Sequence, residues 1–443
     1  VLLIAWLGWV FDIMDTALFN FAKGPMLQEL FHGDAKQKAF IESAFLVLLL
    51  IGWSFGGLLF GILADKWGRV RTLTVTVLIY CIFTGATALC HTWQEVAVIR
   101  FITALGIGGE WAAGAALVAE TFPDKARAPG ASLLQSAAAF GPWFAAIVNL
   151  QVAVNNWRLL FLVGIFPALV TVLLRLWVKE PSGRSEASSS LHKEVGSPSS
   201  PLPLRSSATS PQGEVIGLRV DHETRAYRSM DKSKRSTNPI LELFGNPVWR
   251  RNAIVALLLG ISGIAAANNI SYWLPDLTKA ASSGFTAAQI QARVSYVTLI
   301  MHLGTLIGVF LSPWLCERLG RRKGLAIFFV LSPISVALAT IGTKSYASLM
   351  VLAPLMSLFT IGMSAGFVLY FPELFPTRLR ATGAGFAYNT GRILAAGVPL
   401  VTGYILGSTN SIGRAVGITA FVPLAGLVAL YFAPETRGKP LPE

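Results

Sequence analysis

The sequence predicts an all-α membrane protein with twelve transmembrane helices in two parallel six-helix repeats. Three observations carry this. The 443-residue chain is 53% hydrophobic and only 13% charged. Soluble domains carry about 25% charged residues, so this chain has too little polar surface to cover a globule in water. Apolar runs of about 20 residues, the length that crosses a hydrocarbon core, recur along the chain. Short motifs in the first half of the sequence also return in the second half in the same order.

The apolar runs lie near 1–21, 40–63, 72–90, 96–119, 130–151 and 159–178, and then near 252–274, 294–316, 324–342, 346–371, 382–406 and 415–433. Helices are their expected form, because a segment in lipid must satisfy its own backbone hydrogen bonds. The 41 Gly and 23 Pro are scattered through the apolar stretches, as lipid-embedded helices tolerate. The first run is not read as a cleaved signal, because Asp12 and Asp15 interrupt it and it has no small-residue cleavage site.

Lys and Arg set the orientation. With the amino terminus cytoplasmic, sixteen of them fall on short inner segments and eight on outer ones, the latter including Lys23, Lys36, Lys38, Lys279 and Arg293. Both termini are therefore expected in the cytoplasm of a multi-pass protein of the cell membrane. The net charge of +13 is read as cytoplasmic loops and not as a nucleic-acid surface. Residues 181–245 break the pattern. They are rich in Ser, Pro and mixed charge, a composition that cannot offset its ordering entropy, and are read as a largely disordered cytoplasmic linker. The domains expected are thus a six-helix bundle over 1–180, the linker over 181–245 and a second six-helix bundle over 246–443.

Several function classes fall away. Cys81, Cys90 and Cys316 are an odd, widely spaced set, so neither a disulfide framework nor a metal site is expected. The sequence carries no nucleophile elbow, phosphate loop or paired metal motif, so an enzyme or a cofactor is not expected.

The repeat is specific. Glu120, Pro123, Arg127 and Gly130 return as Glu373, Pro376, Arg380 and Gly383, and Asp65, Gly68 and Arg69 return as Glu317, Gly320 and Arg321. Six spans per half is an even number, so the halves run in the same direction through the membrane. Such halves are the architecture of a rocking carrier with its site between them.

The stretch Gly61, Asp65, Lys66, Gly68, Arg69, Arg71 resembles the loop 2–3 signature of the major facilitator superfamily. Arg100 followed by Gly106, Gly108 and Gly109 resembles its fourth-helix motif, and Pro434-Glu435-Thr436-Arg437-Gly438-Lys439 resembles the tail motif of several subfamilies. Asp12 and Asp15, Glu110 with Trp111, and Asn389 with Arg392 are similar to the carboxylate–proton symporters of the sialate and lactate type. Aromatic-acid symporters share the spaced first-helix aspartates. The resemblance implies the major facilitator fold and a cytoplasmic gate built from Gly61, Asp65, Gly68, Arg69, Arg71, Glu120, Arg127, Glu317, Arg321, Glu373 and Arg380.

Charges inside a bilayer cost about 2.5–3.5 kcal/mol each on insertion scales, so each asks for a reason. Asp12 and Asp15 share a helical face, where repulsion raises the pKa of one and lets it hold a proton near neutral pH. A structural pair is the other reading. Arg392, well inside the eleventh span, can grip a carboxylate through paired hydrogen bonds, or can pack against an acidic neighbour. Glu110 is a candidate proton carrier or arginine partner. Arg100 either joins the coupling or snorkels. Asn268, Asn269, Tyr272, His302 and Asn389 are candidate polar contacts to a substrate, and Asn in lipid also ties helices together. The expected function is proton-coupled symport of a small organic monocarboxylate by a monomer, using alternating access. A sugar, aromatic-acid or drug carrier, or a non-transporting nutrient sensor, is the alternative.

Overall fold

The computed structural model describes residues 2–67, 69–121, 127–152, 156–165, 239–340, 345–376, 379–439 and 442. Among the described residues all regular structure is helical. In chain order the helices are α1 (Leu2–Leu30), α2 (Ala35–Trp67), α3 (Arg69–Thr87), α4 (Trp93–Thr121), α5 (Arg127–Gln135), α6 (Ala137–Gln151), α7 (Pro239–Gly245), α8 (Pro247–Ala280), α9 (Ala287–Leu319), α10 (Arg321–Thr340), α11 (Tyr346–Thr360), α12 (Met363–Glu373), α13 (Arg380–Ala395), α14 (Gly397–Thr409), α15 (Ile412–Thr419) and α16 (Leu424–Phe432). Residues 157–165 are helical as well. Eight segments among the described residues are long and apolar enough to cross a membrane. The described residues within 1–178 and 246–443 form one compact unit. Most of the expected linker lies outside the described residues.

Local chemistry fixes several helix starts. The Asn246 side chain accepts from Val248 N at 2.9 Å and Trp249 N at 3.4 Å ahead of Pro247 at the first helical position. Thr286 and Gln289 form a reciprocal capping box for α9. Asn410 ends α14 in the left-handed conformation (φ 49°), which Asn tolerates better than most residues.

Four expected spans are each divided into two helices. The fifth divides as α5 and α6, the tenth as α11 and α12, the eleventh as α13 and α14, and the twelfth as α15 and α16. The breaks lie close to Pro142, Gly362, Gly397 with Pro399, and Pro423. Proline removes a helical N–H and glycine gives the least support to a helix interior. Other helices run past the expected spans. α1 continues to Leu30, α2 starts at Ala35 and α8 continues to Ala280. Lys23, Lys36, Lys38 and Lys279, read from sequence as outer-segment charges, therefore stand on helix ends.

The repeat is visible in the packing. In the first half α2 packs on α4 and α1 on α6; in the second, α9 packs on α11 and α8 on α13. Between the halves α2 packs on α14 and α6 on α9, two pairs that the repeat exchanges. Helices in lipid gain no hydrophobic drive toward one another, so close backbone approach at small residues matters most. A Cβ at Gly56 would collide with the Leu105 carbonyl, and one at Gly308 with the Leu358 carbonyl. These positions are related by the same offset as Asp65 and Glu317.

Candidate functional site

Two buried cations define the middle of the bundle. The first is Arg100 on α4. Its Nη1 lies 2.9 Å from Asp15 Oδ2 on α1, with side-chain exposures of 1% and 3%. Thr84 on α3 donates to the other carboxylate oxygen at 2.7 Å, and the guanidinium stands 4.5 Å from the Phe19 ring centroid. Arg100 therefore does not snorkel. Asp12 lies one turn earlier on α1 and is also buried. Asp15 is thus held by a cation and a hydroxyl in addition to having a second carboxylate nearby.

The second is Arg392 on α13, also buried. Its guanidinium carbon lies 4.0 Å from the Trp53 ring centroid on α2 and 4.8 Å from that of Tyr388. Its Nε and Nη1 make no hydrogen bond, and no ion pair to it occurs among the described residues. An unsatisfied, desolvated guanidinium N–H is costly. Aromatic faces compensate part of the charge but cannot accept from both in-plane donors. Asn389, one turn earlier on α13, faces α2 at Gly57, where an added Cβ would stand 3.3 Å from its Oδ1. Arg392 and Asn389 thus come from the second half and meet α2 of the first.

The other polar candidates are engaged elsewhere. Asn268 donates to the Ile264 carbonyl of its own helix at 3.0 Å. Asn269 bonds Thr419 and Thr402, each at 2.9 Å, and so ties α8 to α14 and α15. His302 pairs through Nδ1 with the Thr298 carbonyl at 2.9 Å. The Tyr272 hydroxyl donates to the Glu42 carbonyl.

At the end of the bundle that holds the loop motifs, Arg321 grips Glu373 twice, Nε to Oε2 at 3.0 Å and Nη2 to Oε1 at 2.7 Å. Thr436 donates to Glu373 Oε2 at 2.5 Å. Glu435 Oε1 and Oε2 accept the backbone N–H groups of Arg321 at 2.9 Å and Arg322 at 3.1 Å, replacing the cap that Gly320 cannot supply. Gly320 sits at φ 96°, and a Cβ there would lie 2.8 Å from Glu435 Oε2, so only glycine suits the turn. Burial raises the pKa of the Glu435 carboxyl, but donation from the Arg321, Arg437, Arg322 and Thr436 N–H groups outweighs this and leaves it below the ordinary carboxylate value. Loop and tail motifs, more than a hundred residues apart, thus form one clamp. Arg380 Nε donates to the Pro372 carbonyl at 3.2 Å, while Glu317 and Arg71 are exposed. Gly68 and the side-chain surroundings of Gly61, Asp65, Arg69, Glu110, Glu120 and Arg127 lie outside the described residues.

The family model described as "Sugar (and other) transporter" matches residues 1–443. The chain belongs to this family of the major facilitator superfamily. It is 27% identical over 445 residues to a niacin transporter of Acinetobacter baylyi (98% of this chain, 93% of the relative). It is 26% identical to the cis,cis-muconate transport protein of the same organism (99% and 95%), and 26% identical to a sialic acid transporter of Escherichia coli (96% and 90%). A D-xylose–proton symporter superposes with a TM-score of 0.69 at 18% identity, covering 99% of both chains, so the fold is the twelve-helix fold of this superfamily. The family and these relatives are transporters, not enzymes, and the chain is a multi-pass secondary transporter.

The site reasoning from sequence missed Trp53, Thr84 and Gly57. The chance of finding Thr84 or Trp53 was small, since each is an ordinary residue of an apolar span until folding sets it beside a charge.

Proposed function

We propose that this transporter carries a small organic monocarboxylate together with protons, by alternating access between two six-helix halves at 1–180 and 246–443 joined by the linker at 181–245. The single observation behind the reading is Arg392, a buried guanidinium between Trp53 and Tyr388 with Nε and Nη1 unsatisfied. A carboxylate arriving there supplies an acceptor for one of these donors and the compensating charge at once. The names of the niacin, muconate and sialic acid relatives agree with an acidic solute.

Proton coupling is assigned to Asp12, Asp15, Glu110 and Arg100. Protonating Asp15 would weaken its bond to Arg100 and free that cation, which gives a proton a structural consequence. Both termini are placed in the cytoplasm, so the Arg321–Glu373 clamp belongs to the cytoplasmic gate and the end carrying Lys23 faces outward. The protein is proposed to act as a monomer.

The test is uptake into proteoliposomes of labelled lactate, sialate and benzoate, with and without an imposed pH gradient. Accumulation of an acid that collapses when the gradient is dissipated is the expected result. Accumulation only of neutral sugars or cationic drugs would overturn the carboxylate reading, and accumulation indifferent to the gradient would overturn the coupling.

A further inference from the structure

We propose that Lys23 and Asp276 are the latch of the outer gate, an ion pair between the halves that breaks each time the outer end opens. The latch rests on the alternating-access reading above but not on any choice of substrate. Lys23, on α1, has no solvent exposure, and its ammonium lies 2.8 Å from Asp276 Oδ2 on α8. The same ammonium is 3.6 Å from the Tyr272 ring centroid and 4.1 Å from that of Trp273. The first half thus inserts one cation into a box built by α8 of the second half, a carboxylate flanked by two aromatic faces.

The surroundings fit a device that closes on itself. Lys279 reaches the other Asp276 oxygen at 3.6 Å, and a Cβ at Gly24 would strike the Lys279 ammonium. From α2, buried Glu42 accepts the Tyr272 hydroxyl through its carbonyl, and its carboxyl feels the charges of Asp276, Lys23, Lys38 and Lys279. Asn20, one turn before Lys23, donates to the Ser271 carbonyl at 3.3 Å. α1 and α2 are therefore joined to α8 at this end through polar contacts alongside apolar packing.

An ion pair of this kind has two states. With Lys23 shielded from water, the attraction is strong, and removing Asp276 strands the buried ammonium. Once the halves part, water solvates both charges and offsets the lost attraction. Removing one partner penalises the closed state alone and so shifts the population toward open.

Hydrogen–deuterium exchange of the purified full-length protein tests this without any substrate, so its outcome is separate from that of the uptake assay. Asp276→Asn strands Lys23 and is expected to speed exchange in 20–30 and 268–282 by about tenfold or more, with no such rise at the clamp around Arg321. Lys23→Gln should act in the same direction but less, because Lys279 still neutralises Asp276, and Lys23→Arg should stay near wild type. Unchanged exchange in Asp276→Asn overturns the latch, as does a uniform rise through both halves, which would mark the pair as merely structural. If Asp276→Asn does not fold, Asn20→Cys/Ser271→Cys decides in an otherwise intact chain, since the native cysteines are buried. Oxidation should slow exchange of both segments and reductant should restore it. Equal exchange in the two forms would show that the end does not open between these helices.

Discussion

Arg100 meets Asp15 at 2.9 Å with both side chains almost wholly buried. The pair joins α4 to α1 inside the first half, and its worth depends on both members being present. Removing one partner of a buried pair costs about 3–5 kcal/mol, because the other charge remains. Asp15→Asn and Arg100→Gln should each lower thermal stability in detergent by an amount of that order, and the double variant should lose clearly less than the sum. Thermal unfolding of the four proteins gives the cycle. Additive losses would mean that the two side chains act independently. In the proposed coupling, Asp15→Asn also ends gradient-driven accumulation while exchange survives.

Glu435 presents a second dependence, on pH. Its carboxylate caps α10 through two backbone N–H groups, and its pKa is lowered in the folded protein from the ordinary 4.5. A lowered folded pKa stabilises above the unfolded value and stops doing so as pH falls through the folded one. Glu435→Gln should therefore be less stable than wild type by about 1 kcal/mol at neutral pH, the usual size of a lost cap. The gap should close as pH falls below 4.5 and through the lowered folded value. Melting curves of both proteins across this range are the check, and a gap independent of pH would assign the loss to packing.

The spans, the repeat and the clamp motifs were legible because each is written in neighbouring residues. Apolar length marks a span, and Gly320 with Arg321 marks a loop. The Arg100–Asp15 pair was legible only as two separate charges, since 85 residues divide them and nothing local selects the partner. Lys23 was harder still. It reads as a flanking lysine at the end of an apolar run, and its burial depends on α1 running on to Leu30 beside an α8 that reaches Ala280. The divisions at Pro142 and Pro423 were hidden for the opposite reason, as proline is common in spans that continue.

Gly56 and Gly308 should behave alike. Each faces a carbonyl of a neighbouring helix, Leu105 and Leu358 respectively, and neither backbone can withdraw without moving a helix. Gly56→Val and Gly308→Val should each cost at least the 1–3 kcal/mol typical of overpacking. The yield of monodisperse protein after mild heating measures this. A tolerated Gly308→Val beside a damaging Gly56→Val would show that the two halves do not share this packing rule.

Arg392 gives the sharpest discrimination between acid and neutral substrates. Its guanidinium is fixed against Trp53 and Tyr388, so a lysine in its place keeps the charge but loses the planar donor array and the ring stacking. Arg392→Lys should weaken transport, and Arg392→Ala should weaken it further. In the wild type an amide of the transported acid should bind less tightly than the acid itself. The loss of a charge-assisted hydrogen bond, about 1.5–3 kcal/mol, corresponds to roughly a ten- to hundredfold change in affinity. In purified, folded Arg392→Ala that preference should collapse, because the acid has lost its partner and the amide had little to lose. A packing arginine would instead reduce the amount of folded protein and leave the acid-to-amide ratio alone. Calorimetry with both ligands on both proteins separates the two roles, and a full preference for the acid without Arg392 would place the carboxylate contact elsewhere in the bundle.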